Sequence, residues 1–138
     1  MEPDLSWLIG HRIKEIDKQD YTWFFTFDDG STVYTEGPWR VARAEGIVVT
    51  STDDGHTFGL STPVDASQRT MERITNGRVE KFEVDPRTGD LTLFLEGATT
   101  IQFLQLSCGY ESWSTIYGSQ RVVCSGGGRL WQIDQTAT

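Results

Sequence analysis

Short runs in which apolar and polar side chains alternate recur along this chain, and clusters of Gly, Asp, Asn or Pro interrupt them. A period of two puts every second side chain on one side of a strand, so the pattern predicts a mostly β domain, a sandwich or a partly open barrel. The clearest hairpin is Tyr21-Thr22-Trp23-Phe24-Phe25-Thr26-Phe27, then Asp28-Asp29-Gly30, then Ser31-Thr32-Val33-Tyr34-Thr35. With Gly30 in the left-handed region, a three-residue loop sets Phe27 opposite Ser31 and Phe25 opposite Val33. Trp23, Phe25, Phe27 and Val33 then share a core face. A second hairpin runs from Gly77 to Val84, turns through Asp85-Pro86-Arg87-Thr88-Gly89-Asp90 and returns along Leu91 to Leu95, where Leu91, Leu93 and Leu95 point inward.

These segments read as two copies of one unit. Arg12-Ile13-Lys14-Glu15-Ile16 matches Arg78-Val79-Glu80-Lys81-Phe82, and Trp23, Phe25, Phe27 and Gly30 match Leu91, Leu93, Leu95 and Gly97 with one residue lost from the second turn. Trp39 matches Trp113, and Gly46 to Ser51 matches Gln120 to Ser125 at the same spacing. The period is too long for a solenoid repeat. The pattern therefore predicts one domain over residues 1–138, made of antiparallel meanders over about 8–61 and 76–134 related by a pseudo-two-fold axis. A short helix over 63–74 joins them: Thr62 can cap, Pro63 suits the first helical position, Asp65 completes a capping box, and Asn76-Gly77 stops it.

Composition narrows the class. Hydrophobic residues make up 37% and aromatics 12%, too rich for a disordered chain. The net charge is −8, concentrated in residues 1–69 with 12 acidic and 6 basic side chains. That balance is unfavourable for nucleic acid and suits a basic partner. The first residues show neither a basic stretch nor an apolar segment of a secretory signal, and no apolar run reaches membrane-spanning length, so a cytoplasmic location with no membrane contact is expected. Cys108 and Cys124 read as small buried hydrophobes. If Tyr117-Gly118-Ser119-Gln120 turns a hairpin, Cys124 faces Trp113 and Cys108 faces Arg129, so they do not pair.

No catalytic or metal-binding motif is readable, and no cofactor is expected. His11 and His56 are the only histidines; His11 opens a strand and His56 follows an Asp53-Asp54-Gly55 turn. Neither Cys nor His shows metal-ligand spacing, and Asp28-Asp29-Gly30 and Asp53-Asp54-Gly55 read as hairpin turns. Ser125-Gly126-Gly127-Gly128-Arg129 lacks the GK[ST] ending of a phosphate loop and reads as a crossing too tight for bulky side chains. The most unusual runs are Gly37-Pro38-Trp39-Arg40 and Gly109-Tyr110-Glu111-Ser112-Trp113, at equivalent places in the two copies. Their tryptophans suit core anchors; alternatively Trp39, Arg40, Tyr110, Glu111 and Trp113 form a binding patch of the aromatic and charged kind that dominates protein interfaces.

The second half, Gly77 to Trp131, resembles an uncharacterised bacterial family known only as a domain of unknown function. Gly89-Asp90-Leu91-Thr92-Leu93, Tyr110-Glu111-Ser112-Trp113 and Val122 to Trp131 with its Gly-Gly motif carry the resemblance. It implies a fold mate and no activity. A non-enzymatic protein-binding module, of the immunity or inhibitor type, is the leading expectation. A small-ligand carrier with an aromatic-lined barrel cavity and a homodimeric structural protein are the alternatives.

Overall fold

The computed structural model describes residues 3–134. Each alternating run forms a strand with its apolar positions turned inward. The strands are β1 (Ile13–Gln19), β2 (Thr22–Phe27), β3 (Thr32–Thr35), β4 (Trp39–Arg43) and β5 (Gly46–Thr50), followed by the helix α1 (Ala66–Ile74). Then come β6 (Val79–Val84), β7 (Leu91–Leu95), β8 (Thr99–Phe103), β9 (Trp113–Tyr117), β10 (Gln120–Cys124) and β11 (Leu130–Asp134). All pairings are antiparallel. They build a six-stranded sheet, β1-β2-β3-β9-β10-β11, and a five-stranded sheet, β5-β4-β8-β7-β6. The sheets stay open and face each other as a sandwich over one continuous core.

The strand order shows how the halves depend on each other. Each sheet combines strands of both halves: the meander β1-β2-β3 continues into β9-β10-β11, and the meander β6-β7-β8 continues into the hairpin β4-β5. The correspondence extends to register. Phe25 opposes Val33 as Leu93 opposes Ile101, Thr35 opposes Trp113 as Phe103 opposes Trp39, and a bulge follows Ile13 in β1 as one follows Val79 in β6. The two meanders meet at an isolated bridge between Arg12 and Arg78.

Three details differ from the sequence alignment. Phe27 bonds Ser31 and Leu95 pairs with Thr99, so both turns have three loop residues and none is lost; Ala98, at φ 56°, holds the last loop position that Gly30 holds in the first turn. A bulge in β4–β5 shifts the register, so that Val49 corresponds to Val122 rather than Val123. The helix starts at Ala66 with Asp65 as its N-cap, its side chain accepting from the Gln68 N–H at 2.9 Å. Thr62 and Pro63 cannot begin it because Val64 is held extended against the loop: its N–H donates to His56 O and its carbonyl accepts from Gly55 N. Ala66, Thr70 and Ile74 form the buried stripe, and the helix ends with Thr75 and Asn76 in left-handed conformations.

The core is aromatic. Phe25 lies edge-on to both Trp39 and Phe103, with centroids 5.0 and 4.9 Å apart, and Trp23 meets Trp39 edge-on at 5.1 Å. At one end Trp7 stacks on Tyr117 and meets Phe27 edge-on. The glycine run is a close crossing: a Cβ on Gly126 would sit 2.6 Å from the Gly109 backbone, and one on Gly128 2.3 Å from Thr88 O. Cys124 is buried, where desolvation pushes its thiol pKa up, whereas Cys108 is exposed on the loop before β9 and is no core residue. Among the described residues no helix is long and apolar enough to cross a membrane.

Candidate functional site on the outer face of the six-stranded sheet

The five residues singled out in the sequence do not form one patch. Trp39 and Trp113 are core residues at 1% and 0% exposure, and Trp113 Nε1 donates to Gly89 O at 2.8 Å. A large apolar ring that stands inward from its strand has no surface left to offer. Arg40 lies on the outer face of the five-stranded sheet, its Nε donating to Gln102 Oε1 at 2.7 Å. Only Tyr110 and Glu111 remain exposed together.

Those two sit on the segment in which the two halves of the chain differ most in length. The β3–β4 connection is residues 36–38, while the corresponding β8–β9 connection is residues 104–112. The longer loop is held by buried Gln105. Its side-chain amide donates to Tyr110 O and Ser125 O, its Oε1 accepts from Ser107 N, and its own N–H donates to Asp90 Oδ1. Ser107 Oγ in turn accepts from the N–H groups of Gly109 and Tyr110. The backbone is thus satisfied while Leu106 and Tyr110 project at 76% and 82% exposure. Beneath them lie two joined depressions of 280 and 160 Å³ that share Glu36, Glu111 and Ser112, the smaller reaching Tyr34 and Ser114 on the sheet.

The sheet face they lead to is unusual for a solvated surface. One cross-strand row reads Asp17, Phe24, Tyr34, Ser114, Val123, Trp131; the next reads Glu15, Thr26, Thr32, Ile116, Arg121, Ile133. Phe24 stacks on Tyr34, Arg121 lies over the Tyr34 ring at 5.6 Å, and Arg129 lies over Trp131. Val123 is buried yet stands outside the core cluster, because its cover comes from this outer face. Trp131, Ile133 and Ile116 remain 56%, 46% and 38% exposed.

The five-stranded sheet supplies an internal control. Its corresponding rows read Glu83, Thr92, Gln102, Arg40, Thr50 and Lys81, Phe94, Thr100, Ala42, Ile47. Phe24, Tyr34 and Val123 thus correspond to Thr92, Gln102 and Thr50. The fold is built with polar residues at those positions on one sheet, so it does not require apolar ones on the other. Sequence reasoning missed Phe24, Tyr34, Ile116, Arg121, Val123 and Ile133 because it followed only the inward positions. The available signal was that Thr22–Phe27 and Leu130–Asp134 carry large apolar side chains at both parities.

Two other features compete. A groove of 830 Å³ runs between β1 and α1, lined by Asp17, Asp54, Asp65 and Glu72, with Lys18 near Asp54 at 3.8 Å and over Trp23. Asp65 caps α1, and Asp54 Oδ1 accepts from Ala66 N, so both carboxylates have structural work. At the opposite end of β1, His11 Nδ1 meets Asp28 Oδ1 at 2.6 Å and its Nε2 lies 3.7 Å from Asp29 Oδ2. These three could offer ligand atoms to a metal ion. Asp29, however, is occupied by Ser31, whose N–H and hydroxyl it accepts.

The hydrogen bond from His11 holds the Asp28 carboxyl below the usual range against desolvation, with the charge of His11 and then Arg12 adding smaller contributions. A depressed folded pKa contributes stability above the unfolded value, and that contribution is lost as pH falls through the folded value. Replacing His11 with Ala is expected to move the Asp28 carboxyl titration back up, followed by NMR, and to bring the acid limb of the stability curve to slightly higher pH.

No family model, curated protein or solved structure matches this chain.

Proposed function

We propose that the protein is a non-enzymatic protein-binding module and that the outer face of the six-stranded sheet, with the 104–112 loop at its end, is its docking surface. The observation that carries this is the contrast in one pair of corresponding rows: Phe24, Tyr34 and Val123 on one sheet against Thr92, Gln102 and Thr50 on the other. Trp, Tyr and Arg are the residues that concentrate binding energy in interfaces, and Trp131, Tyr34 and Arg121 stand together here. Glu36, Glu111, Glu15 and Asp17 around them suit a partner with basic groups at its rim. A small acidic protein that covers a basic partner, as immunity and inhibitor proteins do, fits the net charge of −8. A ligand enclosed between the sheets has no such support, since Trp39, Trp113, Phe25 and Phe103 fill that space.

The test compares capture from the native cell extract by wild type, Trp131→Asp and Arg40→Asp. A stoichiometric protein retained by wild type and Arg40→Asp but lost by Trp131→Asp is expected. Equal retention by both variants, or no protein partner at physiological salt, overturns the proposal.

A further inference from the structure

The two joined depressions at the end of the docking face concentrate one sign of charge. Glu36 and Glu111 line both, and no lysine or arginine among the described residues lines either. Neither carboxylate forms an ion pair among the described residues, and Glu36 accepts a long hydrogen bond, 3.4 Å, from the Thr22 hydroxyl. Two like charges beside one depression favour a cation brought between them. The walls are otherwise suited to an apolar stem: Pro38, Leu106 and Tyr110 line the larger depression and Tyr34 the smaller. Their 280 and 160 Å³ fall below the roughly 300–1,000 Å³ of pockets that enclose a small-molecule ligand, and suit a single long side chain.

The site is also set before anything binds. Glu36 directly follows β3, and Glu111 follows Tyr110, whose carbonyl the buried Gln105 amide holds at 3.0 Å. Carboxylates placed by a braced backbone spare a ligand part of the cost of ordering them.

We infer that this site receives one arginine side chain of the protein partner. The inference rests on reading the outer face as a docking surface, and it names the group that would anchor there. Arginine fits better than lysine because the two carboxylates come from separate segments. A planar guanidinium carries five donors in a fork that can serve both, whereas an ammonium is a compact point charge. Tyr110, 82% exposed, offers a ring for the guanidinium to stack on, while Tyr34 is already engaged by Phe24 and Arg121. The five-stranded sheet shows that an outer face of this fold accommodates a guanidinium at this point. Arg40 stands at the position corresponding to Ser114 and donates to Gln102, which corresponds to Tyr34. Ser114 brings no such group, so on the six-stranded sheet the cation has to come from outside.

NMR titration of the whole chain with the capped tripeptide acetyl-Gly-Arg-Gly-amide, beside its lysine and citrulline counterparts, tests this. The arginine peptide is expected to shift the amides of residues 36, 110–112 and 114 with a Kd on the order of 1–10 mM. The lysine peptide is expected to bind at least about five-fold more weakly, and the citrulline peptide, which keeps the shape without the charge, to give no saturable shift. Glu36→Gln and Glu111→Gln, both at exposed positions, are each expected to weaken the arginine peptide about ten-fold with unchanged thermal melts. The double variant is expected to lose the partner that wild type captures from the cell extract. No saturable shift with the arginine peptide, shifts spread equally to the groove around Asp54 and Glu72, lysine binding as tightly as arginine, or a double variant that still holds the partner overturns the inference. If that double variant holds the partner while Trp131→Asp loses it, the docking surface stands without its arginine site; if Trp131→Asp holds it too, the docking surface itself fails.

Discussion

Residues 1–76 and 77–138, expressed separately, are each expected to lack a cooperative unfolding transition, and mixing them is expected to restore one. The cut leaves α1 with the strands it packs against and falls at the turn before β6. It nevertheless strips β3 of its partner β9 and β4 of its partner β8, and it removes one of the two sheets' meanders from each fragment. The buried row Trp23, Phe25, Phe27 on the first fragment belongs to one core cluster with Leu91, Leu93 and Ile101 from the second, and Phe25 meets the second fragment's Phe103 edge-on. Ordering about 76 residues costs on the order of 100 kcal/mol of chain entropy, and half a core cannot offset it. A cooperative melt of the monomeric 1–76 fragment, followed by circular dichroism, contradicts this.

Trp113→Ala is expected to be the most damaging single substitution, costing about 3–5 kcal/mol in denaturant melts. The side chain is fully buried, it faces Cys124 and Thr35 in adjacent strands, and its indole N–H satisfies Gly89 O in the crossing beneath the glycine run. Removing it opens a cavity and leaves that carbonyl with only the Cys124 thiol at 3.6 Å. Because domains of this size are stable by only about 5–15 kcal/mol, most of the margin goes. Trp131→Ala, by contrast, is expected to fall below about 1 kcal/mol, since the ring lies on the surface over Arg129. A Trp113→Ala loss no larger than that of Trp131→Ala contradicts the assignment of Trp113 to the core.

The elements were legible where local chemistry dictates them. Alternation in Thr22–Phe27 and Leu91–Leu95, with Gly30 and the 85–90 loop between strands, leads directly to the strands and their registers. The helix start was misplaced because the extended conformation of Val64 is imposed by His56 and Gly55, a contact that no helical signal carries. That the second-half hairpin β9–β10 continues the first-half meander is a tertiary fact, and no local pattern encodes which copy supplies which strands. For the site, Tyr110 and Glu111 could be found as an unusual run, but Trp39 and Trp113 look the same in sequence whether they point in or out. The outer row was overlooked because Phe24 lies between two core positions, and Trp131, Ile133 and Arg121 gain meaning only when register sets them beside Tyr34 and Ile116.

The claim that the outer row serves binding rather than folding is tested most directly by giving the six-stranded sheet the residues that stand at the corresponding positions of its counterpart. The triple variant Phe24→Thr, Tyr34→Gln, Val123→Thr transfers the row Thr92, Gln102, Thr50. Thermal and denaturant unfolding together with extract capture are the measurement. Cooperative unfolding with a smaller loss of stability than Trp113→Ala alone, and loss of the partner held by wild type, is the expected result. A triple variant that no longer folds, or one that folds and holds the partner as wild type does, contradicts it.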